Sequence, residues 1–350
     1  MTVTMPAQPG QDSGLQPMPW REMAWVTWRQ HRAALGSVAA LACALALHVV
    51  SVGLQAHHTW AANMAACHIG SIPCQGTNSV LGNSRGQWHG QTSMAGLLQL
   101  VPALIGAFAG VPVLARELET GTFRYAWTQG IGRLRWALAK LVLLAISVTV
   151  ASGLFSLVTT WYYQPYFAAS NPVPQPPLAP TLFDLRGVAF PAWTLAAFAI
   201  GALAGMLIRR VVPAIAATLA VYTGLVFAAG GFLRAHYLTP VLTSSLNVPG
   251  TAWIASQWWT VTRSGQFAWA GRPPMSVLGN ITCPNSGPPN GKPTMVSIEQ
   301  CVVQHGYTQW TSYQPTTRFW PFQWIEGGWL LVLSVLLIAV TVWLVRRRAA

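Results

Sequence analysis

Apolar positions in this chain come as long unbroken runs, and polar positions gather in the segments between them. Six runs approach the roughly 20 residues that span a hydrocarbon core: Ala33–Leu54, Met94–Leu114, Ala137–Thr160, Val188–Ile208, Val211–Leu233 and Gly328–Val345. The pattern predicts an all-α integral membrane protein with six transmembrane helices. Only Arg209 and Arg210 separate the fourth and fifth runs, which must therefore form a tight hairpin; Pro213 falls in a first turn, where a helix tolerates it. Pro102 and Pro112 are expected to bend the second span and help shape a cavity. Gly106–Gly110 and Gly201–Gly205 have a spacing that permits close helix approach, but it also recurs by chance in Ala/Gly-rich spans.

The flanking segments differ in kind. Residues 1–19 are polar, rich in Pro, Gly and Gln, and without period, which predicts a disordered cytoplasmic tail. No basic segment there leads directly into an apolar run, so a secretory signal is not expected. Residues 20–32, WREMAWVTWRQHR, place Trp20, Met23, Ala24, Thr27 and Trp28 on one helical side and Arg21, Glu22, Arg29 and Arg32 on another, with Trp25 interrupting the polar side. This predicts an interfacial helix lying on the membrane; extension of the first span is the alternative. Residues 20–345 are read as the transmembrane domain and 346–350 as a basic cytoplasmic C-terminus. Of the outer loops, Gln55–Ser93 is moderate, Trp161–Gly187 is stiffened by NPVPQPPLAP, and 234–327 is large and tryptophan-rich. A loop that long needs structure of its own, expected as short helices packed on the outer mouth.

Charge orients the spans. Only 8% of residues are charged, where about 25% is usual, so each cluster of bases is informative. Thirteen of the twenty Lys and Arg residues fall in the tails, in the segments after even-numbered spans or, for Lys140, one turn into the third span, which places both termini in the cytoplasm by the positive-inside rule. The net charge of +13 raises nucleic acid as a partner. The bases, however, sit at the ends of apolar runs and not on a polar face, so lipid is expected and nucleic acid is not. Cys67 with Cys74, and Cys283 with Cys301, fall in loops assigned outside and read as two disulfides, while Cys43 lies within the first span. For the first pair, metal binding with His57, His58, His68 or His89 is the alternative, without a recognised ligand motif.

Catalytic chemistry is not legible. The predicted spans carry no Asp, Glu, Lys or Arg at their middles, with Lys140 one turn into the third and able to snorkel to the interface. His48 is the one titratable candidate at depth, so ion-gradient coupling is disfavoured. There is no HExxH. The nearest approach to a phosphate loop, GPPNGKPT at 287–294, has misplaced glycines and Pro293 where Ser or Thr belongs. No catalytic residue, metal site or cofactor is expected in this chain, and any ATP and Mg²⁺ would belong to a partner.

The remaining signal is Arg116–Lys140, RELETGTFRYAWTQGIGRLRWALAK, dense in charge between two apolar runs. It resembles the region between the second and third spans of ABC-2-type transporter permeases, where an E-x-x-x-G-T element precedes an R-x-R-W-x-x-x-K entry. MAWVTWRQHR and YQPTTRFWPFQWIEGGW resemble a bacterial subgroup of these permeases. The resemblance implies a permease subunit of a bacterial exporter in the plasma membrane. Two six-span subunits, identical or not, would join with two separate ATPase subunits. It makes 20–32 the connecting helix, with Trp20, Arg21, Trp28, Arg29 and Arg32, and 116–135 the coupling helix. The implied ATPase contacts are Arg116, Glu117, Glu119, Gly121, Thr122, Arg124, Arg133 and Arg135. The cargo expected is a hydrophobic or amphiphilic compound such as a drug, antibiotic, peptide or lipid. The alternative is a non-transporting sensor or anchor built on the same fold.

Overall fold

The computed structural model describes residues 36, 40, 43–62, 64–65, 95–120, 133–168, 176–274, 277 and 295–348. Long helices dominate: α1 (43–62), α2 (Ala95–Thr120), α3 (Arg133–Ala168), then a short α4 (Pro180–Phe183), α5 (Ala189–Ile208) and α6 (Val211–His236). After them come β1 (Val241–Thr243), β2 (Trp253–Val261), β3 (Phe267–Ala270), α7 (Met295–Gln304), β4 (Tyr307–Gln314) and α8 (Phe319–Arg348). Among the described residues, five helices (α2, α3, α5, α6 and α8) are long and apolar enough to cross a membrane. The expected first span, Ala33–Leu54, overlaps α1, which continues helical to residue 62. The interfacial segment 20–32 and most of the 116–135 segment, residues 121–132, lie outside the described residues.

α5 is the hub. It packs against α2, α3, α6 and α8, and two-thirds of it is buried against 17% of α6. Its sequence, AFPAWTLAAFAIGALAGMLI, explains why: alanines and glycines keep its radius small, so four helices can reach it. The two small-residue pairs meet here. A Cβ on Gly201 would lie 2.1 Å from the Gly106 carbonyl oxygen, and one on Gly110 would lie 2.6 Å from that of Phe198. Along this crossing α2 widens into a π-helical stretch, Gly106–Gly110, just ahead of Pro112, which has no N–H to offer the preceding turn. α2 therefore stays continuous through both prolines.

The all-α expectation holds for the membrane part and fails for the loop before the last helix. Among its described residues that loop contains a four-stranded antiparallel sheet in the order β1–β4–β2–β3, with α7 packed on β4. Its strands are rich in Trp, Tyr, Thr and Val, which suit a pleated, half-buried surface. Trp259 is fully buried and donates to the Gly271 carbonyl at 3.0 Å. The sheet is tied to the bundle by Gln314, which donates to Leu238 O at 2.8 Å, and by Arg318, which donates to Thr239 O at 2.6 Å. The last span also starts earlier than Gly328: α8 begins at Phe319, bringing Gln323 and Glu326 inside it.

Candidate functional site

Two places concentrate charge, at opposite ends of the bundle. At the basic end, the last turn of α2 is fastened to its neighbours. Glu117 forms an ion pair with Lys140 of α3, whose side chain is 3% exposed, so this lysine is buried and does not snorkel. Glu119 Oε2 accepts the Val211 N–H at 3.1 Å, placing a carboxylate at the N-terminus of α6, where the helix dipole favours negative charge. The hairpin that presents Val211 turns at Arg209, the one described non-glycine residue in the left-handed region (φ 58°), followed by extended Arg210. Arg116 is exposed.

Of the other residues singled out from the sequence, Arg133 and Arg135 fall in the first turn of α3. Gly121, Thr122, Arg124, Trp20, Arg21, Trp28, Arg29, Arg32, Cys67, Cys74 and Cys283 lie outside the described residues. Cys301 is buried on α7 and Cys43 is an exposed free thiol on α1. His57 is engaged elsewhere, stacked on Trp161 at 4.5 Å and hydrogen-bonded to its carbonyl at 3.0 Å. His48 is exposed on α1.

At the sheet end, just outside the apolar runs Val188–Ile208, Val211–Leu233 and Gly328–Val345, lies a buried ionic cluster. Arg234 and Glu326 are both fully buried. Glu326 Oε1 accepts from Arg234 Nη2 at 2.7 Å and from Trp193 Nε1 at 2.9 Å, while its Oε2 accepts from Arg234 Nε at 3.0 Å and from the Tyr237 hydroxyl at 3.2 Å. Asp184 pairs with the same guanidinium through Nη2, and Phe183 lies under it with the ring centroid at 4.3 Å. Arg234 Nη1 alone has no partner among the described residues. Desolvating a single charge is costly, so such groups persist only when paired and hydrogen-bonded.

Local sequence aims these groups. A second π-helical stretch, Ala229–Leu233, precedes Arg234 and resets the helix phase with an Arg234 N–H to Ala229 O bond, turning the guanidinium inward. Asp184 sits in the turn from Pro180 to Val188. Ser156 donates to Gly187 O at 2.8 Å and Thr159 to Leu185 O at 2.6 Å. Gln323 accepts the Ala189 N–H at 2.8 Å and donates to Phe183 O at 3.1 Å, which satisfies one orphan donor of the α5 N-terminus. Arg186, two residues on, has its guanidinium over the rings of Phe167 (4.4 Å) and Phe319 (4.7 Å), and burial lowers its pKa to about 10.

Beside the cluster, a cavity opens between α2, α5 and α6, lined by Gln99, Pro102, Asp184, Trp193, Tyr222 and Val226, with Phe190 at its wall. About 20 Å³ is open to the centre of a water molecule, which is room for a water or a group of that size. Burial pushes the Asp184 carboxyl up to about 8; attraction from Arg234 opposes this, and the neighbouring Glu326 adds to it. The cluster therefore holds two carboxyls and one guanidinium, and is neutral when it retains one proton.

These residues were not singled out from the sequence. One signal was available: the chain has seven acids, and Asp184 and Glu326 stand in apolar, aromatic surroundings, LFDL and QWIEGGW, that need no acid for solubility.

Residues 38–234 match the family model described as ABC-2 membrane transporter related. No curated protein and no solved structure matches the chain.

Proposed function

The chain belongs to the ABC-2 membrane transporter related family, and on that premise we propose that it is the permease subunit of an ATP-driven exporter. Family members of this type are membrane components of ABC transporters and multi-pass membrane proteins. In this reading a separate ABC ATPase supplies ATP and Mg²⁺. A second permease subunit completes the pathway, and the cargo is a hydrophobic or amphiphilic compound leaving the cell. The basic end faces the cytoplasm with both termini, and the sheet faces outward, where Cys67–Cys74 and Cys283–Cys301 would pair as disulfides.

The observation that carries the proposal is the fastening of the α2 end. Through Glu117 to Lys140 and Glu119 to Val211, the residues flanking 121–132 are joined to both α3 and α6. A push delivered to that segment by nucleotide-driven closure of the ATPases would thus reach three long helices together and change their packing around α5. Glu117 and Glu119 have internal partners, whereas Arg116 is exposed, which makes it the contact candidate to change first.

Purification of the tagged chain from its native membrane, with identification of co-purifying proteins, tests this. A stoichiometric ABC-type ATPase, lost in R116E while membrane insertion stays normal, is the expected result. Repeated purification without an ATPase, from membranes shown to contain one, would sink the transporter reading in favour of a sensor or anchor.

A further inference from the structure

The cavity beside Asp184 is lined by polar groups with unused acceptor capacity. Gln99 gives its amide nitrogen to Pro180 O at 2.9 Å, so its amide oxygen has no partner among the described residues. Tyr222 is 6% exposed and lines the cavity, yet its hydroxyl makes no hydrogen bond among the described residues. Asp184 lines the same space with a side chain 13% exposed, and Trp193, Phe190 and Tyr222 supply aromatic walls. Behind Asp184, one guanidinium serves two carboxyls, so with both ionised the cluster carries one surplus negative charge.

Acceptors, aromatic faces and one uncompensated negative charge are what a small cation with N–H donors requires. A bare metal ion would need more oxygen ligands than this wall offers. A trimethylammonium group is too large for the space. We propose that this cavity binds a primary ammonium group, held by the Asp184 carboxylate, the Gln99 amide oxygen and the Tyr222 hydroxyl against the ring of Trp193. The ammonium takes the place of the single proton that otherwise neutralises the cluster. The only bond broken is the carboxyl O–H: its proton passes to water as the ammonium enters, and the net charge of the cluster with its occupant is unchanged. The site stands independently of the transport reading.

Exchange with a proton gives the site a pH signature. The ionisable groups around Asp184 are Arg234 and Tyr222 of α6, Tyr237 just beyond it, and Glu326 of α8. On the cavity wall, α2 and α5 present only Gln99, Trp193 and Phe190 as polar or aromatic groups. Asp184 holds its proton up to about pH 8, whereas a simple alkylamine stays charged to about pH 10. Binding should therefore strengthen as pH rises to about 8 and level off above it.

Isothermal titration calorimetry on the full-length chain in detergent tests this, with ethylamine hydrochloride as the probe at matched ionic strength. The expected result is saturable binding at pH 9, weakened at least about tenfold at pH 6.5, with no saturable heat from tetramethylammonium or potassium chloride. Y222F removes only a hydroxyl and should weaken binding about tenfold, and D184N should abolish it. If D184N does not fold, Y222F and the pH profile decide. Absence of saturable ethylammonium binding at pH 9 would overturn the proposal. So would equal binding of potassium, or binding that Y222F leaves unchanged.

Discussion

Replacing Glu326 by Gln is the sharpest probe of what holds the sheet end of the bundle together. The carboxylate accepts four hydrogen bonds, two from Arg234 and one each from Trp193 and Tyr237, and is fully buried. Donors face both of its oxygens, so either orientation of a glutamine amide turns its NH₂ group toward an arginine N–H. Removing one partner of a buried ion pair leaves the other charge undercompensated, at a cost of about 3–5 kcal/mol. With a few degrees of melting temperature per kcal/mol for a chain of this size, E326Q should melt about 10 °C below wild type. The Y237F variant removes one neutral donor at 3.2 Å and should cost about 1 kcal/mol. Scanning fluorimetry of the detergent-solubilised proteins reads both shifts. If E326Q melted no lower than Y237F, the cluster would not be fastening α5, α6 and α8, and the reasoning would fail.

Two further outcomes follow from the same geometry. In G201A the added methyl would fall 2.1 Å from the Gly106 carbonyl oxygen, which belongs to backbone and cannot swing aside. The helices must part, at about 1–3 kcal/mol, visible as a lower melting temperature, whereas G224A on α6 meets nothing within 4 Å and should be neutral or slightly stabilising. Asp184 has a folded-state pKa raised to about 8 from 3.8, so between those values the folded chain holds a proton that the unfolded chain has released. Stability should accordingly fall as pH rises through that window and flatten above it; melting temperatures measured from pH 5 to pH 9 would show the slope, and D184N should remove it.

Membrane placement was legible from the sequence because hydrophobicity summed over adjacent residues is a local property. Ala137–Thr160 and Val211–Leu233 lie inside observed helices, Met94–Leu114 coincides with α2 over its described residues from Ala95, and Val188–Ile208 matches α5 to within a residue. The spacing of Gly106, Gly110, Gly201 and Gly205 was visible too, although nothing local said that the two pairs face each other. The start of α8 was not legible. Trp320, Pro321, Gln323 and Glu326 lower the hydropathy of that stretch, and it is helical within the bundle because Gln323 and Glu326 find partners on other elements. The sheet was missed for a related reason: β2 and β4 pair across some 50 positions of chain, and a half-buried strand declares itself only against its neighbour.

What the sequence determined by itself was therefore the solvent each segment prefers and the family to which the chain belongs. Which charges are buried, and beside what, was decided by tertiary structure alone. Arg234 and Glu326 stand 92 positions apart, and each read singly is an interfacial charge in an outer loop. Only the packing of α6 and α8 around α5 brings them together with Asp184, and the cost of desolvating any one of them is offset only when all are in place.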